Sequence, residues 1–138
     1  MKDITVITGT VGVDAHVIGT KIVSRALRDA GYNVVALGAQ TPPEEFIKAA
    51  QETDADAMIM SSLYGMAELD LQGFKDKCLE AGLDDILLYI GGNLGIAKSD
   101  DIEMRFKKLG FDRVYPPATD MKIALADLQN DLEAKGKL

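Results

Sequence analysis

The chain has 138 residues, 47% of them hydrophobic, with 15 lysines and arginines against 22 aspartates and glutamates for a net charge of −7. That length and apolar content build one well-formed core and leave too little for two ordinary domains, so a single domain over residues 1–138 is expected. The negative balance, with no basic stripe to offset it, repels phosphate backbones and argues against nucleic acid as a partner.

The one cysteine, Cys78, excludes an internal disulfide and fits a reducing compartment. Met1-Lys2-Asp3 runs straight into an apolar segment, without the apolar stretch and small-residue cleavage site of a signal peptide. No run approaches the roughly 20 apolar residues that cross a bilayer. The expectation is a cytoplasmic protein with no membrane partner.

In chain order, apolar strand-like runs are predicted at Ile4–Thr8, Val34–Leu37, Ala57–Ser61, Ile86–Ile90 and Arg113–Tyr115. Their near-continuous apolar character is that of strands covered on both faces, as in parallel sheets. Amphipathic helical periods fill the intervals, at about Gly19–Ala30, Pro43–Thr53, Leu69–Ala81, Asp101–Leu109 and Met121–Ala134. Gly31, Gly82 and Gly110 each follow a helical run where a left-handed C-terminal cap is expected, and Thr41-Pro42-Pro43-Glu44-Glu45 places a proline and acids at a helix start. Cys78 falls inside the third helical run as a small core side chain. Lys135-Gly136-Lys137-Leu138 reads as a frayed tail.

Alternating strands and helices imply an α/β fold: one open, doubly wound, five-stranded parallel sheet of flavodoxin-like, Rossmann-like topology with strand order 2-1-3-4-5. Ligands in such sheets bind beyond the carboxyl ends of the strands beside the switch point, between strands 1 and 3 in this order. The segments after Thr8, Ser61 and Ile90 are therefore expected to converge on one site. They hold the least ordinary residues of the chain: Gly9-Thr10-Val11-Gly12-Val13-Asp14-Ala15-His16, Ser61-Ser62-Leu63-Tyr64-Gly65 and Gly91-Gly92-Asn93-Leu94-Gly95.

Two other uses of this topology fail on residues. A dinucleotide site wants Gly-x-Gly-x-x-Gly after strand 1 and an acid at the end of strand 2, but Gly9 and Gly12 are wrongly spaced and Gly38-Ala39-Gln40 follows strand 2. A phosphoacceptor receiver domain would need an aspartate at the end of strand 3 and a lysine after strand 5, where this chain has Ser61-Ser62 and Tyr115-Pro116-Pro117. His16 is the sole histidine. A lone histidine is ordinarily a surface or core polar residue, yet one placed two residues after an aspartate can give one ring nitrogen to a metal while the carboxylate holds the other.

Asp14-x-His16-x-x-Gly19, followed by Ser61-x-Leu63 and then Gly91-Gly92, resembles the motif set of cobalamin-binding domains whose histidine replaces the cofactor's own benzimidazole base on cobalt. With no extra helical domain, and with the late run Gly110-Phe111-Asp112-Arg113-Val114-Tyr115-Pro116-Pro117, the chain is similar more narrowly to the small, sigma subunits of glutamate mutase, also called methylaspartate mutase. Val13 stands where many members carry a serine, and the stretch Asn93-Leu94-Gly95-Ile96-Ala97 is variable in kind.

The resemblance implies adenosylcobalamin as cofactor, with His16 on cobalt and Asp14 orienting its ring. The cofactor contacts it implies are Val13, Asp14, Ala15, His16, Val17 and Gly19 from the first segment, and Ser61, Ser62 and Leu63 from the second. Gly91, Gly92, Asn93, Leu94, Gly95, Ile96 and Ala97 are the third. Gly19 would let the nucleotide tail pass the first helix, Ser61 would hydrogen-bond the displaced benzimidazole, and Gly91-Gly92 would leave room for it.

The resemblance further implies that L-glutamate and threo-3-methylaspartate are interconverted by a radical rearrangement. A separate large barrel subunit would bind the amino acid, in a heterotetramer of two small and two large chains, and this chain would carry no catalytic residue of its own. The alternative is a corrinoid methyl carrier or cobalamin-binding module without mutase activity.

Overall fold

The computed structural model describes residues 3–12, 18–62, 67–92, 94, 99–117 and 119–138. Five parallel strands form one sheet: β1 (Thr5–Thr10), β2 (Asn33–Ala36), β3 (Ala57–Ser62), β4 (Leu87–Gly92) and β5 (Arg113–Tyr115). Their order, β2-β1-β3-β4-β5, is the one expected from the alternation of elements. The helices are α1 (Ile18–Asp29), α2 (Pro43–Thr53), α3 (Ala67–Asp70), α4 (Phe74–Glu80), α5 (Ser99–Lys108) and α6 (Met121–Ala134).

Successive strand residues face opposite sides of the sheet, so each face collects its own core. On one face Ile7, Met58, Met60, Leu88 and Ile90 pack against Phe46 and Ala50 of α2, Phe74 and Cys78 of α4 and Phe106 of α5. On the other, Val6, Ala57, Ile59, Leu87 and Tyr89 pack against Leu27 of α1 and Leu128 and Leu132 of α6. Gly31, Gly82 and Gly110 have φ of 96°, 80° and 108°, as expected of left-handed helix ends.

Three expectations need correction. The third helical run is two helices, α3 and α4, parted by a turn at Gly73 with φ 74°. Strands β1, β3 and β4 run on to Thr10, Ser62 and Gly92, so Gly9, Thr10, Ser62 and Gly91-Gly92 are paired strand residues rather than loop residues. The carboxyl-terminal tail is pinned: Lys137 Nζ lies 3.0 Å from Asp56 Oδ1, with side chains only 13% and 7% exposed.

Candidate functional site

The strand register sets the site. Thr10 pairs with Ser61, Ser61 with Gly91, and Gly91 with Tyr115, so these four residues form one row across the carboxyl ends of β1, β3, β4 and β5. By alternation the row faces the side covered by α1 and α6. One row lower stand Thr8, Ile59, Tyr89 and Arg113, and below that Val6, Ala57 and Leu87. Going up the sheet, branched apolar side chains give way to hydroxyls and a glycine. Leu27, Leu128 and Leu132 seal the helices onto the lower rows. Above them the shrinking side chains leave a gap.

That gap is a cleft of about 240 Å³. Thr10, Ser61 and Gly91 make its floor, Ile22 and Val23 of α1 one wall, and Met121 and Ala124 of α6 the other, with Tyr115, Pro116, Pro117 and Thr119 closing the end beyond β5. The lining is chiefly apolar with a few polar groups, the usual make-up of a small-ligand site.

Hydroxyl pairs join the apolar contact of Val23 in holding α1 beside the cleft. Thr10 Oγ1 and Thr20 Oγ1 share a hydrogen bond of 2.8 Å, and Thr8 Oγ1 and Ser24 Oγ another of 2.8 Å. All four residues are buried. At the end of β1 the Gly12 N–H donates to the Thr41 carbonyl at 2.8 Å, with Gly12 at φ 70°. Gly12 and Thr20, which bracket Asp14 and His16 in the sequence, are thus each held by a hydrogen bond.

The wall opposite α1 is tied down by charge. Arg113 gives a forked pair of hydrogen bonds to Asp131, Nε to Oδ2 at 3.0 Å and Nη2 to Oδ1 at 2.9 Å. The Tyr89 hydroxyl also donates to Asp131, and the Tyr115 hydroxyl donates to Asp127 Oδ2 at 2.7 Å. Arg113 holds the Asp131 carboxyl below its ordinary range. Burial first, and then the carboxylate each hydroxyl serves, raises the Tyr89 and Tyr115 phenols well above theirs.

Of the residues singled out in the sequence, Ser61, Ser62, Gly91 and Gly92 come together at the cleft. Gly19 lies in the first turn of α1. Leu94 is buried in the core cluster of the opposite face. Val13, Asp14, Ala15, His16, Val17, Leu63, Asn93, Gly95, Ile96 and Ala97 lie outside the described residues.

Sequence reasoning missed Thr10 and both helical walls. The sequence carried no signal for them, since the exposure of Ile22, 56%, is set by the fold and not by the helical period.

A parallel α/β sheet with a cleft over its carboxyl edge defines a ligand-binding domain, and its class is given by the B12 binding domain family, whose model matches residues 4–126. The chain is 50% identical to the glutamate mutase sigma subunit of Clostridium cochlearium over 96% of this chain and 98% of that one. It is 51% identical to that of Carboxydothermus hydrogenoformans over the same shares. It belongs to the B12-binding family and, within it, to the glutamate mutase sigma subunits. Among solved structures, a cobalamin-binding protein from Desulfitobacterium hafniense matches with a TM-score of 0.78 at 21% identity, over 94% of this chain and 60% of that one, a likeness of fold.

Proposed function

We propose that this chain is the cofactor-holding subunit of an adenosylcobalamin-dependent glutamate mutase, seating the nucleotide tail of the cofactor in the cleft between α1 and α6 and presenting His16 to cobalt. The observation that carries the reading is the row Thr10–Ser61–Gly91, where small residues leave space over the sheet between two helices. Ligand sites for drug-sized molecules run to roughly 300–1,000 Å³, so a cleft of about 240 Å³ takes an appendage and not a whole corrin. His16, between Gly12 and Thr20 in the sequence, would supply the ligand to the cobalt of the macrocycle.

The residues present fit such a group. Gly91 has no side chain to fill the floor, and Ser61 beside it is half-buried, with a hydroxyl suited to a heterocyclic nitrogen. His16 is the metal ligand in this reading, and Asp14 accepts the proton of its other ring nitrogen, which fixes the tautomer and raises its basicity. Val13, Ala15, Val17 and Gly19 complete that contact, with Ser62, Leu63, Gly92, Asn93, Gly95, Ile96 and Ala97 around the tail.

When bound, the cofactor supplies the radical by breaking its cobalt–carbon bond. The chain's own residues bind, orient and exclude water. The reacting amino acid is held by a large subunit, in an assembly of two small and two large chains. A cytoplasmic setting goes with the reduced, buried Cys78, and among the described residues no helix is long and apolar enough to cross a membrane.

The test is the Co(II) resonance spectrum of the cobalamin-loaded protein. Nitrogen hyperfine splitting that responds to isotope-labelled histidine is expected in the wild type and absent in His16→Gly, with the far-ultraviolet circular dichroism of the two proteins alike. Unchanged splitting in the variant would remove His16 from cobalt.

A further inference from the structure

The half-buried charge network beside the cleft has a geometry that plain helix docking does not need. Arg113 and Tyr115 are two apart on β5 and face the same side, a step of about 6.6 Å along a strand. Asp131 and Asp127 are four apart on α6, a step of about 6 Å along a helix. The two elements run in opposite directions, so the rungs Arg113–Asp131 and Tyr115–Asp127 fall in register. A third contact cross-braces them, Arg113 Nη1 to Asp127 Oδ1 at 3.7 Å.

The lower half of α6 is fastened by Leu128 and Leu132, which are fully buried. Above them only Leu125 packs on that cluster, partly buried, and longer apolar side chains at the level of the cleft would fill the space over Ser61 and Gly91. Polar struts from the sheet edge hold the helix while leaving that space open. The upper strut is itself a cleft residue: Tyr115 lines the pocket, and its ring meets Tyr89 edge-on at 5.8 Å and 68°.

We propose that Asp127, Arg113 and Asp131 are positioning residues which fix Tyr115 and the first turns of α6 at the spacing that the nucleotide tail of cobalamin requires. The inference rests on the tail-in-cleft reading above and assigns that cleft a selectivity device. A loosened strut lets Tyr115 and Met121 move into the gap and penalises a tailed ligand, while a corrinoid without a tail never enters the cleft.

The experiment titrates the full chain spectroscopically with cobalamin and with cobinamide, the same macrocycle lacking the nucleotide. Asp127→Asn removes the anion that fixes the Tyr115 hydroxyl, and Tyr115→Phe keeps the ring while removing the hydroxyl. Each is expected to weaken cobalamin about tenfold, the scale of one lost charge-assisted hydrogen bond, and to leave cobinamide unchanged. Lys137→Met, which loosens the fold at the far end of the sheet, serves as the stability control and should leave the ratio of the two affinities at its wild-type value.

Equal weakening of both ligands, or no weakening of either, overturns the positioning role and leaves the network as helix docking alone. A wild-type chain that binds cobalamin no more tightly than cobinamide overturns the tail-cleft reading itself, and the positioning role with it.

Discussion

A methyl group added at Gly92 would lie 2.2 Å from the Ser62 carbonyl oxygen, on a backbone already at φ 106°. The obstacle is main chain in the neighbouring strand, so relief requires the ends of β3 and β4 to part. Gly92→Ala is expected to destabilise the protein by about 2–4 kcal/mol in urea unfolding, through strain and forced separation together. At Gly91 the added methyl would meet Tyr115 alone, its Cβ at 3.4 Å and its carbonyl oxygen at 3.6 Å, both ordinary contacts. Gly91→Ala should therefore fold with stability within about 1 kcal/mol of wild type, yet bind cobalamin about tenfold or more weakly, because the methyl stands on the cleft floor. Equal stability losses at the two positions, or full affinity in Gly91→Ala, would refute this division of roles. The pair of glycines was visible in the sequence, but their separate tasks were not, since they depend on which face each presents. Cys78 was fully legible: it is buried, and burial pushes its thiol up to about 11, which leaves it an inert core side chain.

The docking of α1 shows how an element can be held without an apolar stripe along its whole length. Thr20, Ser24 and Leu27 lie on its buried face, and only the last of these is a large hydrophobe. The Thr8–Ser24 pair is buried, so Ser24→Ala strands a hydroxyl out of water and is expected to cost about 1–2 kcal/mol, whereas Thr8→Val combined with Ser24→Ala should recover most of that loss. A double-mutant cycle in denaturant measures the coupling, and strictly additive losses would mean that the hydroxyls do not depend on each other. At this scale the sequence was readable where punctuation was local. α2 and α6 begin and end where predicted, the first opened by Pro43 with Glu44 and Glu45 in its first turn, the second capped by the Asp120 side chain accepting from the Lys122 N–H. It misled where partners are distant. The helical period runs unbroken through Leu71-Gln72-Gly73, and only the structure shows Gly73 left-handed there. Gly9-Thr10 and Gly91-Gly92 look like turn residues until the ladder of β3 claims them from both sides.

At the scale of the molecule, charge fastens the middle of α6 and the tail beyond its carboxyl end to the sheet. Asp131 is held below the ordinary carboxylate range chiefly by hydrogen bonds from Arg113, Asp85 by Lys135, and Glu44 by Lys77. A carboxylate depressed in the folded state contributes stability above its unfolded value, near pH 4, and loses it as pH falls through the folded value. Acid unfolding should therefore set in below about pH 4, and Arg113→Met should move its onset to higher pH by releasing Asp131; an onset unchanged in that variant would count against the coupling. The tail beyond α6 carries the other fastening. Lys137 sits 3.0 Å from Asp56 Oδ1, 81 residues away in sequence, while Asp56 Oδ2 accepts from the Thr5 N–H at 3.1 Å, so the tail is tied through Asp56 to the start of β1. Lysines around a glycine at a carboxyl terminus read as a solvated tail, and no local pattern could reveal a partner so far away. With both side chains largely buried, Lys137→Met leaves Asp56 charged and unpaired, and a loss of about 2–4 kcal/mol is expected. The pair stands at the amino ends of the strands, opposite the cleft, so the same variant should bind cobalamin as tightly as wild type wherever it is folded. Unfolding in urea and a cobalamin titration on one preparation test both halves: a loss below about 0.5 kcal/mol would make the contact an ordinary surface pair, and weakened binding by the folded variant would show that the two ends of the sheet are coupled.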